Sequence, residues 1–230
     1  MNWQRMCATL PKPSLTSCVL SLLLFALPAP LARAQTGQEV GHATMVYQGA
    51  SRIPPSGSRH DLWPDYPVYF RDTLRTLDRF GALHVEFADG TELRMGEGAA
   101  MTIDTFVYDP DANAGEVAID VAKGFARFVT GKLSGPNFRI QTPTSLIGVR
   151  GTDFSVWVEP ERGFRTTIWV NEGEIEVTPR AGGPAARVRT DEVVAVAPGG
   201  QQVMRDVPKP IADRGLGVGI RVHPPRDHYQ

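Results

Sequence analysis

The amino-acid sequence predicts an all-β fold with little helix, and three observations support this prediction. The 230 residues include 23 Gly and 19 Pro, which interrupt helices and build turns. Short runs of alternating apolar and polar residues lie between these turns, as in half-buried strands. Only residues 72–80 show apolar residues at helical spacing. The 42% hydrophobic and 21% charged content is ordinary for a globular protein.

The N-terminus has the features of an export signal. Arg5 and Lys12 form a basic start, residues 15–27 are an apolar run, and Ala32-Arg33-Ala34 offers the small residues that signal peptidase accepts. We expect residues 1–34 to be a signal peptide, cleaved after Ala34. A retained membrane anchor is the alternative, although the apolar run is shorter than the roughly 20 residues that span a bilayer. Cleavage would leave a periplasmic or secreted protein without a membrane span.

Removing this leader changes the charge and the cysteine content. The leader holds three of the 24 basic residues (Arg5, Lys12 and Arg33) and none of the 25 acidic ones, so the mature chain is acidic. It also holds both cysteines, Cys7 and Cys18. The mature chain therefore cannot be a disulfide scaffold or use a thiol nucleophile. Its charge gives no electrostatic reason to expect nucleic-acid binding.

The clearest strand prediction is a hairpin. Residues 82–88 and 91–95 alternate in polarity on either side of Asp89-Gly90, a pair typical of a turn in which both central residues need positive φ. A first strand is expected within an N-terminal lead-in, residues 35–65. Further strands are predicted at residues 101–108, 116–122, 124–130, 137–142, 152–158, 164–170, 174–178 and 192–197.

Several predicted strands end at a glycine corner. These corners fall at Gly124, Gly131, Gly151 and Gly173. Short strands at regular spacing suit a sandwich or a barrel, and recurrent glycine corners favour a twisted β-solenoid or β-roll, so these arrangements stay open. The strands define a single domain over residues 40–200. Residues 201–230 lose the alternation and are rich in Gly and Pro, which predicts a C-terminal tail.

One acidic loop approaches the spacing of a calcium-binding loop. Its candidate ligands are Asp109, Asp111, Asn113 and Asp120. Ala114 stands where that loop needs glycine, and no helices flank it, so a polar hairpin loop is the preferred interpretation. We expect no cofactor. The sequence contains no recognisable nucleophile–base set, which predicts a protein that is not an enzyme.

A longer motif is specific enough to suggest a family. Residues 142–154 read TPTSLIGVRGTDF, which closely resembles the signature of the FecR protein family. FADGT at 87–91 and KGFARFVTG at 123–131 resemble two further stretches of that family, and the resemblance covers about residues 40–200. The signature residues are Thr142, Pro143, Gly148, Val149, Arg150, Gly151, Thr152 and Phe154.

The motif also has a structural interpretation of its own. Pro143 has no N–H to donate, so we expect it to start a strand or lie at an edge. Gly148 and Gly151 allow sharp corners or close backbone approach, and Thr152 can satisfy a backbone group there.

Arg150 has five donors, which could clamp carbonyl oxygens or a carboxylate such as Asp153. A structural role of this kind is the preferred interpretation. Recognition of a carboxylate on a partner or ligand is the alternative.

Six aromatic residues could form a face for sugar stacking or peptide docking. They are Trp63, Tyr66, Tyr69, Phe70, Trp157 and Trp169. In a two-layer β-fold both faces of a strand can be partly covered, so packing in the core is preferred for the two later tryptophans.

The resemblance implies a non-catalytic module. Founding members of the family relay the state of an outer-membrane siderophore receptor to a cytoplasmic sigma factor. This chain begins with its export signal, so the cytoplasmic anti-sigma part is not expected. The resemblance therefore implies a stand-alone exported protein that binds an unidentified envelope protein in a sensory or regulatory role. An extracellular, surface-attached structural module and a carbohydrate-binding protein are the alternatives.

Overall fold

The computed structural model of the chain describes residues 37–112, 114–133 and 135–206. The predicted signal peptide and its cleavage after Ala34 lie outside the described residues, as does the predicted tail beyond residue 206. Among the described residues, no helix has the length and apolar character needed to cross a membrane.

The described residues form fifteen strands and one short 3-10 helix at Pro160–Arg162, which confirms the all-β prediction. The strands are β1 (Glu39–Tyr47), β2 (Ala50–Ile53), β3 (His60–Asp61), β4 (Pro67–Tyr69), β5 (Thr73–Thr76), β6 (Ala82–Phe87), β7 (Glu92–Met95), β8 (Ala100–Asp109), β9 (Ala114–Val129), β10 (Gly135–Gln141), β11 (Ser145–Glu159), β12 (Arg165–Pro179), β13 (Ala186–Arg189), β14 (Glu192–Val196) and β15 (Gln202–Asp206).

All of these strands belong to one hydrogen-bonded sheet that is folded over on itself. The pairing is antiparallel except between β9 and β10, which run parallel. Three long strands change partners along their length, with the change close to a glycine of positive φ. These glycines are Gly124 in β9, Gly151 in β11 and Gly173 in β12.

The bends divide the sheet into two layers. Layer 1 has the order β15-β14-β12-β11-β9-β7-β6-β1-β4 and uses the second halves of β9 and β11 with the first half of β12. Layer 2 has the order β13-β12-β11-β10-β9-β8-β5-β2-β3 and uses the other halves of those three strands. The fold is therefore similar to a β-sandwich, except that the bent strands β9, β11 and β12 belong to both layers and connect them.

Apolar side chains from both layers form one core cluster. Leu83, Phe128 and Phe154 come from layer 1, and Ile119 and Ile147 come from layer 2. Phe128 and Phe154 stack with ring centroids 5.3 Å apart. Burying side chains of this size contributes about 1.5–3 kcal/mol each, so the alternating pattern supplies the force that holds the layers together.

The predicted glycine corners bend strands and do not end them. The predicted strands at 116–122 and 124–130 are the two halves of β9, and those at 164–170 and 174–178 are the two halves of β12. Glycine adopts positive φ without a steric penalty, so the chain changes direction while both halves stay paired. Gly131 differs, because it follows the end of β9.

Two further expectations are corrected. Residues 72–80, with their helix-like spacing, contain β5 and a turn, because pairing with β2 and β8 outweighs the weak local preference. The predicted domain end at residue 200 is too early. β15 pairs with β14 from Gln202 to Asp206 and is the edge strand of layer 1.

Candidate functional site

The signature motif begins at the turn between β10 and β11. The Thr142 N–H donates to the Ser145 carbonyl oxygen at 2.9 Å, and Thr142 Oγ1 accepts the N–H groups of Ser145 (2.9 Å) and Thr144 (3.3 Å). Pro143 lies in this turn, whereas we expected it to start a strand or lie at an edge. A turn accepts proline because its fixed φ suits the bend and no N–H is needed there.

Buried hydroxyl groups tie this turn to β12. Thr142 Oγ1 lies 2.9 Å from Thr166 Oγ1. The Thr144 hydroxyl donates to Thr166 Oγ1 at 2.6 Å. All three threonines are at most 5% exposed. Arg180, directly after β12, donates to the Thr142 carbonyl oxygen at 3.1 Å. These bonds anchor the turn on the first half of β12 and on the residue that follows the end of β12, so this part of the motif is structural.

The second part of the motif forms the bend of β11. Gly151 has φ +61° and Gly173, in β12, has φ +91°. A Cβ atom on Gly173 would lie 2.6 Å from the Gly151 carbonyl oxygen, so the two bends are packed against each other. The Thr152 N–H donates to Thr130 Oγ1 at 2.7 Å, and the Thr152 hydroxyl donates to the Glu174 carbonyl oxygen at 3.0 Å.

The remaining signature residues divide between the core and the surface. Val149 and Phe154 are buried in the core cluster. Gly148 has neither a positive φ nor a close neighbour, since a Cβ atom there would lie 3.9 Å from its nearest contact. The sharp corner or close approach expected at Gly148 is therefore not found. Its lack of a side chain instead leaves a gap on the outer surface of β11.

The two other FecR-like stretches meet in one corner. Asp89 is fully buried and accepts the Thr91 N–H at 3.1 Å and the Thr91 hydroxyl at 2.7 Å. The Gly131 N–H donates to Thr91 Oγ1 at 3.0 Å, and a Cβ atom on Gly131 would lie 2.3 Å from the Asp89 carbonyl oxygen. In this turn only Gly90 has positive φ, at +81°, so the expected turn type with two such residues is not formed.

Asp153 binds partners other than Arg150. Arg127 Nε donates to Asp153 Oδ1 at 2.8 Å and Asn171 Nδ2 donates to the same oxygen at 3.0 Å. Burial alone would raise the pKa of Asp153, but these hydrogen bonds and the positive charge of Arg127 outweigh it, so the pKa lies below its usual value. The expected contact between Arg150 and Asp153 is therefore not formed.

Arg150 is exposed and makes no hydrogen bond or ion pair with the described part of the chain. It lies opposite Glu174 in the register between β11 and β12. Leu146, on the same strand, is 43% exposed, and Glu176 is exposed opposite Gly148. We call Leu146, Gly148, Arg150, Glu174 and Glu176 the signature face. Its side chains offer an apolar contact, charges of both signs and the gap above Gly148.

The two later tryptophans are packed, in agreement with the preferred expectation, since Trp169 is only 5% exposed and Trp157 is half-buried. Trp157 and Trp169 stack with ring centroids 6.5 Å apart. Together with Phe125 and Val193 they form a second, smaller apolar cluster on layer 1. Their positions alternate with core residues along β11 and β12, which places them on the outer side of the sheet.

The earlier aromatic residues lie far from this cluster. Trp63 and Tyr66 are 61% and 48% exposed in the loop between β3 and β4. β4 is at the opposite edge of layer 1, six strand positions from β12, or about 29 Å at the usual strand spacing. The six aromatic residues therefore do not form one face.

The calcium-loop candidates do not converge. Asp109 Oδ1 accepts the N–H groups of Asp111 (3.0 Å) and Ala112 (3.2 Å), which makes it a turn residue. Asp120 is six residues into β9, about 20 Å from its start. Asn113 lies outside the described residues. Within the described ranges no group of His, Cys, Asp or Glu is arranged to hold a metal ion.

The folded sheet and its corner at residues 142–154 define an all-β module that carries the signature motif. Residues 72–176 match the family model described as FecR protein. This match confirms the resemblance to the FecR protein family over that part of the chain. The match indicates a regulatory or sensory module.

Two crystal structures of a candidate anti-sigma factor from Parabacteroides distasonis are similar to this chain. Each is 19% identical, covers 56% of this chain and has a TM-score of 0.45. The chain spans 57% of the length of these proteins. The search of curated proteins finds no match.

Proposed function

We propose that this chain is an exported, non-catalytic FecR-domain protein that acts as a sensory or regulatory module of the bacterial envelope by binding another envelope protein. The observation that carries the proposal is the FecR domain over residues 72–176. Export to the periplasm or beyond rests on the signal sequence at residues 1–34.

The use of polar groups in the motif supports a binding role over a catalytic one. The side-chain oxygens of three polar residues form hydrogen bonds within turns and bends; these residues are Thr142, Thr152 and Asp89. The Asp153 carboxylate accepts hydrogen bonds from Arg127 and Asn171. A catalytic group must instead be available to a substrate. The hydrogen bonding of these polar groups therefore favours a rigid binding surface over a catalytic site.

The signature face is the proposed binding surface. Arg150 is exposed without an ion pair in the described part of the chain, and Leu146, four residues earlier on β11, exposes an apolar side chain. Arginine is enriched among the residues that carry most of the binding energy of protein interfaces, because it offers both an apolar stem and five donors. A carboxylate of the partner is the group that we expect on Arg150.

A capture experiment with two matched variants tests this proposal. The purified protein is immobilised, and proteins recovered from envelope extracts are quantified by mass spectrometry. We expect a reproducible partner whose affinity falls about tenfold or more in Arg150→Glu. Arg79→Glu, an exposed arginine in the turn after β5, should retain that partner.

Both variants should melt within a few degrees of the parent protein. Recovery of no reproducible partner would overturn the proposed binding role. Equal retention by Arg150→Glu and Arg79→Glu would exclude the signature face as the binding surface.

Carbohydrate binding is a second candidate, favoured by the exposed rings of Trp63 and Tyr66. Aromatic faces stack on the apolar side of sugar rings, and these two residues are 61% and 48% exposed. Fluorescence titration with soluble envelope glycans tests it. A saturable change that disappears in Trp63→Ala would support this function, and an unchanged spectrum would exclude it.

A further inference from the structure

A cleft of about 300 Å³ opens beside β2 and β5 of layer 2, away from the signature face. Backbone and side chains of β2, β5 and the turn after β5 form its walls, and Lys123 of β9 closes one side. The residues that matter for its chemistry are Ser51, Ile53, Arg59, Arg75, Leu77 and Lys123.

The strand register explains why the cleft is basic. Arg75 lies opposite Ser51 on β2 and opposite Ala100 on β8, and Ala100 in turn lies opposite Lys123 on β9. The two cations are thus two strand positions apart, or about 10 Å.

Cations outnumber carboxylates in the lining of the cleft, where Arg59, Arg75 and Lys123 lie with one carboxylate, Asp78. Arg59 Nε donates to Asp61 Oδ1 at 3.3 Å, but both of these side chains are more than half exposed. Lys123 Nζ lies 3.7 Å from Asp78 Oδ1, but the Asp78 side chain is 88% exposed, and such surface pairs contribute little. Arg75 has no hydrogen bond or ion pair with the described residues. Its guanidinium is therefore available to a ligand.

One wall of the cleft is apolar. Ile53 and Leu77 line it, and Leu77 is 43% exposed. The Ser51 hydroxyl lies on a residue that is only 2% exposed. The volume equals that of about ten water molecules, which is at the lower end for small-molecule sites.

We propose that this cleft binds a small organic anion, with a carboxylate or phosphate group on Arg75 and Lys123 and an apolar body against Ile53 and Leu77. Arginine suits both groups because its planar donors match two oxygens at once. The proposal goes beyond the protein partner of the signature face. Arg150 lies on β11, four strand positions from β5 or about 19 Å away, so a ligand and a protein partner can bind at the same time.

Titration of the purified protein with small anions tests the site. The probes are hexanoate and phenyl phosphate, with inorganic phosphate as an anion that has no apolar body and hexylamine as a cation. Binding is followed by calorimetry and by amide chemical shifts. We expect saturable binding of at least one organic anion, weaker binding of inorganic phosphate and none of hexylamine. The shifts should map to β2, β5 and the start of the bend in β9.

Variants separate this site from general attraction to a charged surface. Arg75→Gln and Lys123→Gln should each weaken binding about tenfold, as expected for loss of a charge-assisted hydrogen bond. Arg187→Gln, an exposed arginine on β13, is the matched control and should bind like the parent. Thermal melts check that each variant folds.

Three results would overturn the inference. They are the absence of saturable binding to both organic anions, equal weakening by Arg75→Gln and Arg187→Gln, and shifts confined to another surface. A preference between hexanoate and phenyl phosphate decides between a carboxylate and a phosphate ligand. Arg150→Glu should leave anion binding unchanged, so failure of this site and failure of the proposed protein-binding face are distinguishable.

Discussion

Single glycines decide where the longest strands change direction. Gly173 combines a φ of +91° with a backbone carbonyl oxygen 2.6 Å from where its Cβ would lie. Gly151 has positive φ but open space around it. Gly148 has neither constraint. These three positions within two paired strands therefore differ in how much a side chain should disturb the fold.

Gly173→Ala should destabilise the protein by about 3 kcal/mol or more, because backbone strain and a clash with the Gly151 carbonyl act together. Gly151→Ala should have a smaller effect of about 1 kcal/mol, from φ alone. Urea unfolding measures both. Gly148→Ala is the control and should stay within about 0.5 kcal/mol of the parent. An equal effect at all three positions would show that the packed bends are not rigid.

The carboxylate of Asp153 links stability to pH. Its pKa in the folded protein lies below the unfolded value of about 3.9, because the bonds from Arg127 and Asn171 outweigh burial. A depressed pKa contributes stability that is present above the unfolded pKa and lost as the pH falls through the folded pKa. Asp153→Asn should therefore cost about 1–3 kcal/mol at pH 7 and progressively less below pH 4.

Asp72 provides a comparison of opposite sign. Burial raises its pKa, and the N–H of Tyr69 and the charge of Arg52 offset only part of this effect. A raised pKa contributes stability that is present below the unfolded value and lost as the pH rises through the folded one. Relative to the parent, Asp72→Asn should therefore become less destabilising as the pH rises. Urea unfolding at pH 3 and pH 7 measures both variants, and parallel pH profiles would contradict these assignments.

At the scale of elements, the edge strand β15 belongs to the sheet although its sequence lies in a Gly/Pro-rich segment. Its pairing with β14 runs from Glu192↔Asp206 to Val196↔Gln202. Val193 of β14 is part of the outer cluster with Trp157 and Trp169. β15 therefore extends hydrogen bonding next to this cluster.

Truncation after residue 200 should lower the melting temperature by several degrees, since it removes the pairing partner of β14. Truncation after residue 206 is the control, because it keeps β15. Circular dichroism melts of both forms measure the difference. Equal melting temperatures would show that β15 adds nothing to stability.

Local patterns predicted strands more accurately than connections. The hairpin of β6 and β7 was predicted from alternation around Asp89-Gly90, and β8, β10 and β14 lie close to their predicted positions. The sequence did not predict that two pairs of predicted strands continue into each other as β9 and β12. A glycine corner has the same local sequence whether strand pairing stops or continues there. Only the partners on both sides of Gly124 and Gly173 distinguish these cases.

At the scale of the whole molecule, the folded sheet presents two chemically different surfaces on layer 2. The signature face lies on β11 and β12, and the basic cleft lies beside β2 and β5. The family match covers the whole signature face and two of the three cleft cations, Arg75 and Lys123. One bent sheet can therefore carry a protein-binding surface and a ligand site without a second domain.

The sequence by itself determined the strand content, the hairpin of β6 and β7 and the FecR resemblance, because alternation, turn residues and a contiguous motif are local properties. Tertiary structure decided that Asp153 binds Arg127, 26 residues away, and leaves Arg150 exposed. It also decided that Arg75 and Lys123 line one cleft. These outcomes depend on the register between distant strands, which is set by packing both layers around one core and is not encoded in any short segment.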